Sequence, residues 1–324
     1  MDVTIATGIA VTAVQPPVAM GHVLIASQGA LAIVLILVGG LATLHALGRK
    51  REAPRWPVAS IAFGLALIAA MLAIAIGILT HGPIVSADAA LASGLFTHRT
   101  AWADQAMMLI SALGDGLERT VGTVVLTAYL LWRRKVRWAL ALAAVMAAAA
   151  VLVPTLKTIF HFARPSLLYS GADAFSFPSG HATSAAAFYI VLAWIAARPL
   201  SRPLKAAPWA LAAMMIGLTG LSRIYVGAHW FSDVLAGLAL GSALGVAGVT
   251  IAARGLNAQA AWGRRDGVAI LAILIAIGTA LGPAAFAKAR HVYAPYLARP
   301  VEKVVDPGHL SDPDHAPIVA PPGV

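Results

Sequence analysis

Three short stretches of the chain hold residue types able to move a phosphoryl group. The first is Lys157-TIFHFA-Arg164-Pro165, the second Pro178-Ser179-Gly180-His181, and the third Ser222-Arg223-IYVGA-His229-WFS-Asp233. Two arginines and a lysine offer cationic donors, Arg as a bidentate fork and Lys as a point charge, both suited to phosphate oxygens. Such donors stabilise the charge on a phosphoryl group in flight. Ser179 and Gly180 stand where a helix should begin, and the backbone N–H groups of a helix start favour an anion. His229 and Asp233 are spaced i, i+4 and share a helical face, so the carboxylate can fix the imidazole tautomer and leave the other nitrogen nucleophilic. His181 is then available to protonate a leaving oxygen. A zinc site built from His181, His229 and Asp233 is disfavoured by the three nearby basic side chains, and the absence of cysteine removes any thiolate ligand or nucleophile.

These residues need a scaffold, and the composition says which kind. The chain has 324 residues, 60% hydrophobic and 11% charged, against roughly 45–50% and 25% in ordinary globular proteins. That excludes disorder and a soluble fold and implies an integral membrane protein, and because the apolar runs are continuous rather than alternating as a β-barrel needs, an all-α one. A bilayer core about 30 Å thick needs about 20 apolar residues of helix. Eight stretches approach that: 23–47, 58–80, 117–132, 138–158, 182–197, 207–225, 231–253 and 267–287, of which 117–132 and 182–197 are the shortest. Residues 1–22 contain no Lys or Arg, so they lack the basic start of a signal peptide and read as a lead into the first helix. The segment 81–116 reads as a partly helical surface loop, and the Pro-rich stretch 305–324 as a disordered tail.

The net charge of +10 resolves by side. Alternate loops hold fourteen of the 23 basic residues and only Glu52 and Asp266 among the acids; the other side holds nine basic and eleven acidic residues. By the positive-inside rule the first set is cytoplasmic, which places both termini and all three chemical stretches on the extracytoplasmic face. Lys157, Arg164 and Arg223 stand out among the outer cations, each at or beside a helix end, where an ionisable group is costly and marks a functional-site candidate. The excess positive charge records orientation, and no nucleic-acid partner is implied.

The three stretches resemble the tripartite signature of the type-2 phosphatidic acid phosphatase superfamily: Lys, six residues, Arg-Pro; Pro-Ser-Gly-His; Ser-Arg, five residues, His, three residues, Asp. The resemblance covers residues 58–253, a six-helix core. The segment 1–57, the segment 254–290 with an eighth helix, and the tail 291–324 lie outside it. It implies His229 as the nucleophile of a phosphohistidine, Asp233 as its orienting partner, and His181 as general acid and then base. It implies Lys157, Arg164, Arg223, Ser179 and Gly180 as the phosphate pocket, with no metal and no cofactor. Membrane-bound members dephosphorylate lipid phosphates, among them phosphatidate, phosphatidylglycerophosphate, polyprenyl diphosphates and lipid A phosphates. The expectation is therefore a lipid phosphatase of a bacterial inner membrane, with undecaprenyl diphosphate a fitting substrate for an outward-facing site. A lipid-to-lipid phosphotransferase would share the covalent half-reaction. A haloperoxidase of related pocket is soluble, and a transporter would need a polar line across the membrane that the cytoplasmic helix halves do not offer. Beside the signature, His161, Trp230 and Tyr225 read as interfacial residues and Asp173 as solvated. His45 has no evident partner, and His291, His309 and His315 read as incidental.

Overall fold

The computed structural model describes residues 56–165, 175–253 and 263–298, and all the elements below lie there. Nine α-helices follow one another: α1 Trp56–Leu79, α2 Pro83–Thr97, α3 Ala101–Leu113, α4 Gly116–Trp132, α5 Val136–Phe160, α6 Gly180–Ala197, α7 Ala206–Tyr225, α8 Phe231–Ala253 and α9 Arg264–Leu297, with a short 3₁₀ turn at Arg202–Lys205 before α7. Six are long and apolar enough to cross a bilayer: Val58–Leu79, Val136–Phe160, Gly180–Ala197, Arg202–Tyr225, Phe231–Ala253 and Arg265–Ala294. They match six of the eight expected spans, and the protein is an integral membrane protein. The expected span 117–132 forms as α4, with 17 residues. The expected first span, 23–47, lies outside the described residues, as do His45, Asp173, His309, His315 and the Pro-rich tail.

Segment 81–116 differs from its expectation: it is two successive helices, α2 and α3, with Pro83 opening one and the Thr100 side chain accepting from Ala103 N at 3.4 Å to cap the other. Asp115 then caps α4 by accepting from Gly116 N at 2.8 Å. Short capped helices hold their side chains in place, so this segment can furnish a site wall.

The centre of the bundle is the pair α6 and α8. Gly237, Gly241 and Gly245 recur every four residues and so form one stripe along α8. A Cβ on Gly237 would lie 2.6 Å from the Ser179 carbonyl oxygen and one on Gly241 2.0 Å from the Thr183 carbonyl oxygen, so the two backbones meet without side chains between them. Leu67, Met71 and Ile74 of α1 pack on Leu235, Ala239 and Leu240 of α8. Trp138, Leu142 and Val145 of α5 pack with Leu126 and Leu130 of α4 and Val191 and Ile195 of α6. Helix α9 leans on α3, where Ala285, Ala289 and Tyr293 meet Met108 and Ala112. Outward-facing Val58, Leu65, Ile76, Leu140, Val151, Ile251 and Val268 are exposed, an apolar girdle that only a lipid solvent would match.

Candidate active site

The ends of five helices build a cavity of about 330 Å³ at one end of the bundle. Six of the eight residues singled out by the sequence line it: Lys157, Arg164, Gly180, His181, Arg223 and His229. Lys157 is in the last turn of α5, which ends in a left-handed residue, His161 (φ 53°). The chain then turns, so that Arg164 can come back over the site. Gly180 and His181 open α6, and Arg223 lies in the last turn of α7. The connection to α8 folds back on Arg223, whose carbonyl accepts from Ala228 N at 3.0 Å and His229 N at 3.1 Å; Gly227 takes φ 69°, a conformation glycine adopts freely.

His229 is 2 % exposed and Asp233, behind it, is fully buried. His229 Nδ1 lies 3.4 Å from Asp233 Oδ2. That oxygen also accepts from Trp230 N at 2.9 Å, and Oδ1 accepts from Ser176 Oγ at 3.1 Å. The carboxylate is thus held from both sides, which fixes the ring opposite it. With the proton on Nδ1, the free nitrogen is Nε2, and Arg164 Nη1 stands 3.2 Å from it. The same Arg164 nitrogen donates to the Ala228 carbonyl at 2.6 Å. Burial, and then the charges of Arg164, Arg223 and Lys157, hold the His229 imidazole well below its ordinary pKa. It is therefore neutral near pH 7, the state in which an imidazole can act as a nucleophile.

Ser179 and Asp233 do not line the cavity. Ser179 is fully buried; its hydroxyl accepts from Ala182 N at 3.5 Å at the start of α6, and its own N–H donates to the Asp233 carbonyl at 3.0 Å. It ties the second stretch to the third. Trp230 and Tyr225 are not interfacial as expected. Both are buried, Trp230 Nε1 donating to the Ala163 carbonyl at 2.9 Å and Tyr225 OH to Asp104 Oδ1 at 2.7 Å. Their polar tips cross-link the frame of the site. His161 and His291 are exposed, and His291 lies within α9.

The cavity has walls that sequence reasoning did not find. Ser111 and Asp115 come from α3 and its turn into α4, and Ala285, Lys288, Ala289, Val292 and Tyr293 from α9. Arg223 donates to Ser111 Oγ and, at 2.9 Å, to Tyr293 OH. Asp115 Oδ2 accepts from Lys288 Nζ at 2.9 Å, and Asp115 Oδ1 lies 3.8 Å from His181 Nε2. Burial acts to raise the Asp115 carboxyl, but the Lys288 and Gly116 hydrogen bonds and the charges of Lys288 and Arg119 outweigh it, and it titrates below the usual range. Asp88 of α2 accepts from Ser232 N at 2.8 Å and Ser232 Oγ at 2.5 Å, and burial pushes it up to about 6 against those bonds. The one available signal was the Gly114-Asp115-Gly116 punctuation, a helix break with a capping residue.

A neutral imidazole, a second histidine and three cations around one cavity can accept, hold and release a phosphoryl group. Known proteins resemble the chain in sequence and fold. A sequence model described as the PAP2 superfamily matches residues 138–255, from α5 to just past α8. Phosphatidylglycerophosphatase B of Bacillus subtilis is 30% identical over 161 residues, 49% of this chain and 79% of that protein. Lipid A 1-phosphatase of Rhizobium johnstonii is 41% identical over 75 residues, 23% of this chain and 27% of that one. A crystal structure of a transmembrane PAP2-type phosphatidylglycerolphosphate phosphatase from Bacillus subtilis superposes with a TM-score of 0.50 at 28% identity, covering 63% of this chain and all of that one. With the signature intact and the cavity closed around it, the chain belongs to the PAP2 superfamily.

Proposed function

We propose that the protein is a metal-independent lipid-phosphate phosphatase working through a phosphohistidine on the extracytoplasmic face of the membrane. The observation that carries this is the buried His229, neutral, backed by Asp233, with Nε2 turned toward Arg164 in a cavity that Lys157, Arg223 and His181 also line. His229 Nε2 attacks phosphorus, and the bond from phosphorus to the lipid oxygen breaks. His181 gives that oxygen a proton. Water then attacks the phosphohistidine, His181 takes its proton, the P–N bond breaks and phosphate leaves. Lys157, Arg164 and Arg223, with the N–H group at Gly180, hold the phosphoryl oxygens throughout, while the Ser179 N–H is spent on the Asp233 carbonyl.

The relatives named for phosphatidylglycerophosphate and lipid A support a lipid phosphate as substrate, and a polyprenyl diphosphate or a phospholipid phosphate fits best. The proposed catalytic unit is 58–253. The cavity lies at the end of the bundle opposite the Arg133–Asp266 pair (3.0 Å), which belongs to the basic loops. That supports an outward-facing site. Purified protein given lipid phosphates in the presence of a chelator should release inorganic phosphate, and His229→Ala should abolish release; full activity in that variant excludes the mechanism. A reporter fused after Val324 should be active only on the outer side.

A further inference from the structure

A second cavity, about 830 Å³ and almost wholly apolar, lies between α4, α6, α7 and α9. It lies next to the phosphate cavity along several of the same helices. On α4 the lining passes from Asp115 to Arg119, on α6 from His181 to Phe188, and on α9 from Ala285 to Thr279. At 1.5 Å per residue those steps are about 6–10 Å. On α9 the apolar lining then runs from Thr279 back to Gly267, about 18 Å of helix, over half of a hydrocarbon core about 30 Å thick. The family match ends at residue 255, before α9 begins, so this wall is an addition to the matched region.

One cation stands at the junction. Arg119 lines the chamber one turn below Asp115, and its Nη1 is buried with no hydrogen-bond partner among the described residues. A buried guanidinium nitrogen without an acceptor is costly. Glu118, also on the chamber lining, has a buried Oε2 without a partner and does not pair with Arg119 within salt-bridge distance among the described residues. An anion entering between the two cavities would supply what Arg119 lacks. With a hydrocarbon chain in the chamber and a scissile phosphate at His229, the part of the substrate between them would pass Arg119.

We propose that the chamber takes the hydrocarbon chain of the substrate and that Arg119 binds a second, inner phosphate between that chain and the phosphate removed at His229. This rests on the phosphatase reading and narrows it to lipids carrying two phosphates in line. A diphosphate on a lipid alcohol and a phosphodiester joined through glycerol to a terminal phosphate share that chemistry. A lipid with a single phosphate leaves Arg119 unmatched.

The test is a ratio of kcat/KM, two-phosphate over one-phosphate lipid, measured with two pairs of equal chains: polyprenyl diphosphate against polyprenyl monophosphate, and phosphatidylglycerophosphate against phosphatidate. Arg119→Met should lower the ratio about tenfold or more in at least one pair, the loss expected for a charge-assisted hydrogen bond. The pair that responds identifies the substrate. Arg119→Lys, which keeps the charge and loses the fork, should lower it less, and it answers the question alone if the Met variant does not fold. Arg133→Met, at the far end of α4, should leave the ratio as in wild type. Gly278→Leu, on the chamber wall, should raise KM for long-chain substrates relative to a short-chain water-soluble phosphate. An unchanged ratio in both pairs, or an equal loss on both lipids of each pair, overturns the assignment while the phosphatase reading stands. A wild-type protein that releases no phosphate from any of the four lipids overturns both.

Discussion

Helices α8 and α9 are both apolar enough to span a bilayer, yet 78% of the most apolar stretch of α8 is buried in the protein and only 11% of that of α9. The glycines show why. In α8 a Cβ on Gly237 or Gly241 would strike the backbone at the start of α6, one on Gly245 would crowd the Ile190 side chain at 3.0 Å, and one on Gly248 would meet Val145 of α5 at 2.5 Å. In α9 a Cβ on Gly278 or Gly282 would make an ordinary 3.7 Å contact with Leu113, and one on Gly267 would meet nothing within 4 Å. In lipid the hydrophobic effect does not press helices together, so close backbone approach decides which helix is interior. Helix α8 is the rigid seam that carries Asp233; His229 stands in the connection just before it, not on a shared helical face as the i, i+4 spacing suggested. Helix α9 is a looser edge that reaches the same cavity through Lys288 and Tyr293.

The largest expected effect breaks the seam. Gly241→Ala would place a methyl 2.0 Å from the Thr183 carbonyl oxygen. Backbone cannot yield as a flexible side chain would, so the cost should reach or exceed the roughly 1–3 kcal/mol of overpacking. Thermal melting in detergent should show loss of the folded protein. Gly282→Ala on α9 should instead hold or raise the melting temperature, by up to about 0.5–1 kcal/mol of helix propensity. If both behave alike, the contrast between the two helices is wrong.

Next comes the chemistry the seam positions. Asp233→Asn keeps the size of the side chain and removes the charge that fixes the His229 tautomer. In a comparable histidine–carboxylate pair that change costs about 10⁴-fold in kcat, and a fall of about 10²–10⁴-fold is expected here. The protein should still fold, because the amide oxygen can accept from Trp230 N while the amide NH2 donates to Ser176 Oγ, whose own proton can go to the Phe162 carbonyl. Phosphate release compared with melting temperature separates the two effects.

A third prediction concerns the tie between α2 and the start of α8. Asp88 is held at about 6 in the folded protein against an ordinary 3.8, with burial as the main cause. A raised carboxyl pKa means the fold binds more protons than the unfolded chain between those values. Stability should therefore rise as pH falls from about 6 to 3.8, by on the order of 2–3 kcal/mol. The destabilising effect is fully present above about 6. Asp88→Asn should flatten that part of the melting-temperature profile. An identical slope in the variant would assign the pH response elsewhere.

The contrast also explains what could be read without a structure. Lys157, Arg164, His181, Arg223, His229 and Asp233 were legible because each motif sits at a helix end on one face, where fixed spacing and sided charge both register. Ser179 was legible as a helix start, but its turn inward was not, because a capping side chain and a ligand-facing one look alike in sequence. Helix α4 was legible as helix and ambiguous as a span, at 17 residues. The roles of α8 and α9 were not legible from hydropathy, since a lipid-facing residue and a core residue are equally apolar. Ser111, Asp115, Lys288 and Tyr293 escaped for a further reason. Each is a single polar residue far in sequence from the motifs, and only tertiary packing brings it to Arg223 or His181.

The smallest expected effect probes that loose edge. Tyr293 OH accepts from Arg223 Nη2 at 2.9 Å, its ring lies 5.2 Å from the guanidinium carbon, and Arg223 is 2 % exposed. Tyr293→Phe removes the oxygen and keeps the ring, so Arg223 loses one acceptor and retains the cation–π contact and Ser111. One hydrogen bond of that kind is worth about 0.5–1.5 kcal/mol net, which corresponds to a fall of roughly 2- to 12-fold in kcat/KM. If α9 only leans on the site, the loss should appear in KM with kcat kept, since Arg223 would still be placed by Ser111 from α3. If α9 sets the position of Arg223 for the transition state, kcat should fall with KM unchanged. An effect as large as that of Asp233→Asn would make α9 as integral to the site as α8, and the distinction between seam and edge would fail.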